Sequence, residues 1–388
     1  MNLKKAQFEL DNINITILPL IPEQIESLKK KWLLLESIAQ PSFFLTWRWI
    51  GSWLEQIKNT SKFILVEATR NDQTVALGVF IEKDTTRYGV FKRKQWYLHR
   101  TGDDCKDQIW IENNTFLTAS KNKDVIIKAI WQSLLSQYSY VDEFIVAINN
   151  DQPTKAQLSC TNKYSVIKNN TENGYFITLD KIDTIDDYFS SLSKSTRKQL
   201  KRSHALLTQQ NEFKFSVTIA PEQQTQILSK CQQWHIDKWK DTETPSGFTN
   251  PQFTGFHKSL IHSDHITSNT VVASLMINNE LYGCLYCFLN HNCAYFYLSA
   301  LKPIADNRIK LGLSLHALFI QWLIENKPNI KKYDFLAGEA RYKQSLSNQK
   351  NEHCYLVIQK ESIKFKLENL LINLKNKLQN DYDSKVNF

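Results

Sequence analysis

The feature that most limits what this chain can fold into is an order of periodicities that occurs twice. "INITILPL" (Ile13–Leu20) alternates as a strand does, and Pro22 opens a helix with Ile25, Leu28, Trp32 and Leu35 on one face. "FFLTWRWIGSWLEQI" reads as a second helix with Thr46 as its cap. Three strand-like runs follow, "KFILVEAT", "QTVALGVFIEKD" and "KQWYLHRTGDD". "KNKDVIIKAIWQSLLSQY" restores helical spacing through Ile126, Ile130, Leu134 and Tyr138, and "EFIVAIN" closes the unit as a buried strand. The order is β-α-α-β-β-β-α-β.

The same order returns downstream. "FKFSVTIA" is a strand, Pro221 starts a helix through Ile227, Cys231, Trp234 and Lys238, and "NPQFTGFHKSLIHS" makes another. "VVASLMIN", "ELYGCLYCFLN" and "CAYFYLSAL" are strands, with an Asn278-Asn279 turn between the first two. "GLSLHALFIQWLIENK" is apolar nearly all round and belongs in a core. "KKYDFL" closes the unit and "CYLVIQ" adds one strand more. A duplicated α/β unit also suits the size, since 388 residues exceed what one compact core usually covers.

Between the units, Ser193 or Ser195 caps a helix on which Lys194, Arg197, Lys198, Lys201 and Arg202 share one side. A charge run of this kind is ordinarily a solvated face, but its place at the seam makes Arg197 and Arg202 candidate phosphate anchors for a substrate. Near the C-terminus, Ile363, Leu367, Leu370, Leu371, Leu374 and Leu378 line one face of an amphipathic helix expected to dock on the protein; its lysines leave a membrane surface open as the alternative.

Composition narrows the function classes. A hydrophobic fraction of 42% and ten Trp exclude a disordered chain. No apolar h-region follows the early lysines, and the apolar segment Leu311–Ile324 is too short for a bilayer, so a cytoplasmic location is expected. Seven scattered Cys fit reduced thiols without disulfides. The formal net charge of +9 favours anionic partners, whether a phosphorylated cofactor, tRNA or inner-membrane headgroups, or serves solubility alone. Cys284 and Cys287 have CxxC spacing inside a strand, where period two sends them to opposite faces, so no metal site is expected.

Three stretches carry a family resemblance. "PSFFLTWRWIGSWLE", "SLSKSTRKQLKRSHALL" and "YDFLAGEARYKQSL" resemble, in this order and spacing, segments of the CelD/BcsL-like group, the FemAB-related branch of the GNAT acyltransferases linked to cellulose or exopolysaccharide biosynthesis. The likeness covers roughly residues 13 to 360. It implies an α/β fold of two tandem GNAT-like (acyl-CoA N-acyltransferase) domains with mixed central sheets, plus the C-terminal amphipathic helix. The expected division is an N-terminal domain over 1–180, the basic helical segment over 181–211, a donor-binding domain over 212–360 and the terminal helix over 361–388.

The resemblance also implies a donor, acetyl-CoA or another acyl-CoA, with its diphosphate at the loop "LKPIADNRIKLGLSLHA". Free amides and a positive dipole at a helix start suit such a group. Gly312 allows close approach, Ser314 offers a hydroxyl, and Arg308 and Lys310 add charge. The usual GNAT loop is Gln/Arg-x-x-Gly-x-Gly/Ala. Here Ile309 stands three residues before Gly312, Arg308 is one out of register, and Ser314 replaces the small final residue. An aminoacyl-tRNA donor, as in FemAB-like relatives, or a lost donor site therefore stays open.

The acceptor side is expected where "KYDFLAGEARYKQSL" leaves its strand. Asp334 lies inside the strand and needs a partner, for which Lys343 is the expected cation. Glu339 is the expected general base and Tyr342 the proton donor to the leaving thiolate; the alternative is an Asp334–Lys343 pair that only orders the loop. His235, on the helix bordering the cleft, and Asp107, in "TGDDCKDQIW", are further acceptor-side candidates, each with a packing or solvated-loop alternative. His316 is expected to be structural. The reading is a cytoplasmic acyltransferase acting on an amine or hydroxyl of a small molecule or glycan, such as an amino-sugar or lipid-linked precursor, with no DNA partner. A FemAB-like tRNA-dependent transferase and a degenerate scaffold are the alternatives.

Overall fold

A computed structural model describes the chain except for residues 1–5, 11, 150–162, 210–211, 264–267, 369 and 372–388. The first half contains β1 (Ala6–Leu10), β2 (Ile13–Leu20), α1 (Ile25–Ala39), α2 (Trp47–Ile57), β3 (Phe63–Arg70), β4 (Gln73–Arg87), β5 (Phe91–Leu98), α3 (Asp104–Asp107), β6 (Leu117–Thr118), α4 (Lys123–Gln137) and β7 (Glu143–Asn149). After β8 (Tyr164–Thr178) come α5 (Ile185–Ser191) and the basic helix α6 (Lys194–Gln209). The second half runs β9 (Phe213–Thr218), α7 (Pro221–Trp239), α8 (Pro251–His262), β10 (Ser268–Ile277), β11 (Glu280–Asn290), β12 (Cys293–Leu301), α9 (Leu311–Asn326) and β13 (Lys332–Ala337). The short α10 (Arg341–Leu346) and β14 (Gln349–Lys360) follow.

Both expected units are present, and they share one 14-stranded sheet in the order β1-β2-β3-β4-β5-β7-β14-β8-β13-β12-β11-β10-β9, with β6 attached to β4. Among the described residues only β5–β7 and β12–β13 are parallel, and every other pair is antiparallel. The join between the halves is a crossed one. β14, the last strand, returns to lie between β7 and β8, while β8 pairs β13 of the second half. Paired this way, β7 and β13 leave no open edge at the centre of the sheet.

Packing joins the halves as well. A hydrophobic core holds Trp32 and Trp49 of the first half together with Phe256 and Phe288 of the second. Phe43 stacks on Phe288 with ring centroids 4.3 Å apart, and Trp49 meets Phe256 edge-on at 4.8 Å. Arg48, buried on α2, donates to the carbonyls of Leu260 (3.0 Å) and Ile261 (3.2 Å) at the end of α8. Among the described residues those carbonyls have no helical backbone partner, so a cation from the opposite half both satisfies and neutralises a helix C-terminus. Thr46 caps α2 as expected, accepting the Trp49 amide. Cys284 and Cys287 do point to opposite faces, into different cores.

The terminal helix departs from expectation. Residues 363–368 and 370–371 are helical, yet the contact is made by Phe365 and Glu368, the latter paired with Arg93, which also pairs Glu143. The sheet face beneath is polar here, with Arg93, Gln95, Glu143 and Gln359 all buried, so the helix turns its acid rather than its leucines inward. Ile363, Leu367, Leu370 and Leu371 are exposed. Leu374 and Leu378 lie outside the described residues.

Candidate active site

β12 and β13 pair at only three positions, Cys293–Lys332, Ala294–Tyr333 and Tyr295–Asp334. Beyond them β12 continues to Leu301 along β11 and β13 continues to Ala337 along β8, so the strands part. The cause is local. The register of β13 against β8 shifts between Asp334 and Ala337, and Leu336 has a φ of 62°. A left-handed leucine is strained by roughly 1–3 kcal/mol. Asp334 stabilises it, because Oδ1 accepts the Leu336 amide at 2.8 Å in an Asx turn.

Asp334 is buried, and its other oxygen pairs with Lys332 at 2.6 Å, not with Lys343 as expected. Lys332 and Asp334 are two apart on one strand, so their side chains leave the same face. A polar cavity of about 290 Å³ opens beside them, lined from the first half by Ser42, Asn113, Thr115 and Lys123 and from the second by Tyr295, Lys332 and Asp334.

Ala337 is held through both of its backbone groups. Glu112 of the first half accepts the Ala337 amide at 2.9 Å, and Lys343 donates to the Ala337 carbonyl. Gly338 follows with a φ of 126°; a Cβ there would come within 3.0 Å of the Lys343 ammonium and 3.8 Å of a Glu172 carboxylate oxygen. Glycine thus lets Lys343 fold back among Glu112, Glu172 and Asp334. Burial pushes Glu112 up to about 8, against the opposing pull of Lys343 and of the Ala337 amide. Burial also pulls Lys343 down, against the attraction of Glu112, Glu172 and Asp334. Burial thus shifts the two neighbours in opposite directions, the acid upward and the ammonium downward. His353 is buried next to this cluster, lowered by burial, with no hydrogen-bond partner for either ring nitrogen among the described residues.

Three expected residues sit elsewhere. Glu339 is exposed and binds β8, accepting from Asn173 Nδ2 (2.7 Å) and Tyr175 (3.4 Å), on the side of β13 away from β12. His235 is buried against Trp239 and Phe248, bonded to Ser246 at 2.7 Å, and lowered to about 4 by burial. Asp107 lines a cleft of about 610 Å³ between the halves, but its carboxylate caps its own loop. It accepts from Thr101 N (2.7 Å), Thr101 Oγ1 (2.8 Å) and Gly102 N (2.9 Å), with Arg100 3.3 Å away. Tyr342 stacks on His316 at 5.6 Å, and burial raises its phenol, so it stays protonated. His316 in turn bonds Tyr333 at 2.8 Å and is structural.

The expected diphosphate loop is partly engaged by the protein. Ser314 is buried and shares a 2.7 Å hydrogen bond with Ser203 of α6. Ser203 also accepts the Lys310 amide at 2.9 Å. Arg308 forks onto Asp306 at 2.6–3.0 Å. Among the described residues the amides of Leu311, Gly312 and Leu313, at the start of α9, have no hydrogen-bond partner, and Gly312 lies against Leu301 at the open end of β12. The helix start is therefore still able to receive an anion, without the help of Ser314. Arg197 and Arg202 lie on the outer face of α6. No cluster of metal-ligating side chains occurs among the described residues.

Sequence reasoning missed Glu112, Glu172 and His353. Glu112 sits in a loop with no motif, Glu172 in a stretch that reads as coil, and His353 on the returning strand.

This geometry matches known proteins at two levels. Residues 194–344 match the model of the acetyltransferase (GNAT) domain. Among solved structures, FemX covers 94% of this chain and 99% of its own at 9% identity, with a TM-score of 0.55. A conserved protein of unknown function from Bacteroides thetaiotaomicron VPI-5482 covers 88% of this chain and 100% of its own at 9% identity, TM-score 0.51. A tandem GNAT protein from the clavulanic acid biosynthesis pathway gives 9% identity and a TM-score of 0.45 over 89% of this chain and 97% of its own. No curated protein matches the sequence. The fold is thus mixed α/β with one large mixed sheet, and the stretch similar to the GNAT acetyltransferase domain falls mainly in its second half.

Proposed function

We propose that the protein transfers an acyl group from a thioester, acyl-CoA, to an amine or hydroxyl, with the donor in the opening between β12 and β13. The observation that carries this reading is the loss of pairing after Tyr295 and Asp334, with unpartnered amides at the start of α9 beside the open end of β12. A gap in a ladder leaves backbone groups free to bond an extended ligand arm, and free helix amides suit its diphosphate. The acceptor enters from the cavity at Asp334, and an amino-sugar or lipid-linked glycan suits its polar lining. Glu112 is the general base: one oxygen holds Ala337, and its raised proton affinity matches deprotonation of an ammonium near neutral pH. Lys343 keeps that carboxylate in balance and polarises the Ala337 peptide.

Initial-rate measurements of CoA release, with acetyl-CoA and a panel of amines and amino-sugars, test the assignment. Glu112→Gln should bind acetyl-CoA normally and lose turnover, whereas Glu339→Gln should turn over like the parent protein. Normal turnover in Glu112→Gln removes it from the chemistry.

A second reading, transfer from aminoacyl-tRNA, is favoured by one observation: Ser203, Ser314, Arg308 and Asp306 satisfy each other in the loop where a diphosphate would need them. It requires tRNA binding that weakens steeply with salt. A scaffold would bind neither donor.

A further inference from the structure

We infer that the outer face of α6 and the groove beside it form a site for an anionic lipid, with the phosphate on the helix's cations and a hydrocarbon chain in the groove. Lys194, Arg197, Lys198, Lys201 and Arg202 recur at helical spacing along about 12 Å of helix, and the 16-residue α6 contains no acid. Like charges three and four apart repel, and three of the five lie in the first turn and a half, where the helix dipole also disfavours cations. Among the described residues Lys194, Arg197, Lys198 and Lys201 form no ion pair, while Arg202 attracts Asp306. Asp186 is the one acid lining the open basic shelf, of about 770 Å³. So unfavourable an arrangement is relieved by an anion from outside.

The shelf does not end in solvent. Phe189 and Lys201 line both it and a second hollow, a groove of about 390 Å³ between α5, α6 and α9. Ile185, Phe189, Leu200, Ala317 and Leu318 make the groove largely apolar, and Phe189, Ile185 and Leu318 are only half-buried. Cations continuous with an apolar slot match a phosphate continuous with an acyl chain. A purely polyanionic partner such as a nucleic acid leaves the slot empty.

The test measures binding of monomeric dihexanoyl-phosphatidic acid and glycerol 3-phosphate, and sedimentation with phosphatidylcholine vesicles with and without phosphatidylglycerol. The intact protein should prefer the lipid to glycerol 3-phosphate by about tenfold or more and should sediment only with the anionic vesicles. Lys198→Glu with Lys201→Glu should weaken both ligands by roughly thirtyfold. Ala205→Trp, which fills the groove from its exposed rim, should remove the preference for the lipid and leave glycerol 3-phosphate unchanged. Equal affinity for the two ligands, an unaffected Ala205→Trp protein, or displacement of the lipid by tRNA or CoA would each overturn the assignment.

Discussion

The Glu112 carboxylate and the Ala337 amide, 225 residues apart in sequence, meet in a hydrogen bond of 2.9 Å. The bond ties the first half of the chain to the point where β13 leaves its neighbour, so any chemistry in the opening is coupled to how the halves close. Glu112→Gln preserves an acceptor for Ala337, whereas Glu112→Ala leaves that amide unsatisfied. Both should lose turnover. Only the alanine variant should also lose stability, by about 1–3 kcal/mol in urea denaturation. Equal stability of the two variants would mean the bond does not hold in solution.

Asp334 has two duties that substitution separates. Asp334→Asn keeps the acceptor for the Leu336 amide and releases Lys332, which is partly exposed, so a cost near 1 kcal/mol is expected. Asp334→Ala removes the support of a strained backbone and should cost about 2–4 kcal/mol. The difference between the two urea midpoints reads the Asx turn directly.

Arg48 is predicted to matter to the association of the halves and not to the chemistry. Arg48→Met fills its space but withdraws the guanidinium from the Leu260 and Ile261 carbonyls, leaving Leu260 only its Ser263 hydroxyl partner among the described residues. A loss of about 2–4 kcal/mol is expected, with acetyl-CoA affinity unchanged, by denaturation and calorimetry.

Stability should peak close to pH 6.5. Burial holds His99 and His235 at about 4 and His257 and His316 at about 3. Once unfolded these rings titrate near 6.5, so below that pH the unfolded chain takes up protons that the folded one refuses. Each ring then removes up to about 1.4 kcal/mol per pH unit as the pH falls toward 4. Burial pushes Glu36 up to about 7 and Glu112 up to about 8, and these act in the other sense. Folded, they hold protons that the unfolded chain releases above about 4.5, so they weaken the protein as pH rises. Four rings outweigh two acids below 6.5; above it the rings are neutral in both states and the acids weaken the fold, opposed by Lys343, which burial lowers. Urea midpoints from pH 5 to 8 should show the maximum, and a steady rise toward pH 5 would contradict it.

Element order was legible because periodicity reports the face each residue buries, and it located the long helices and strands of both halves but not the short β1, α3, β6 and α10. β8 was not, because "KNNTENG" at its centre reads as a loop and becomes a strand only between β14 and β13. Within the site, Asp334 and Lys343 were legible as neighbours in one signature, although period two already paired Asp334 with Lys332. Glu112 was not, since only closure of the two halves brings it to Ala337. Nor was the engagement of Ser314, which depends on where α6 lies across the start of α9. Local chemistry can be read along a chain; partners delivered by topology cannot.

The most direct measurement is calorimetric titration of acetyl-CoA into the intact protein, into Gly312→Leu and into the Lys198→Glu, Lys201→Glu double variant. The side chain at 312 obstructs the amides at the start of α9, whereas the double variant alters the outer face of α6 and the rim of the groove beside it. The expected result is saturable binding to the intact protein, retained in the double variant and lost in Gly312→Leu. Binding that survives in Gly312→Leu, or none to the intact protein, would contradict a donor site between β12 and β13.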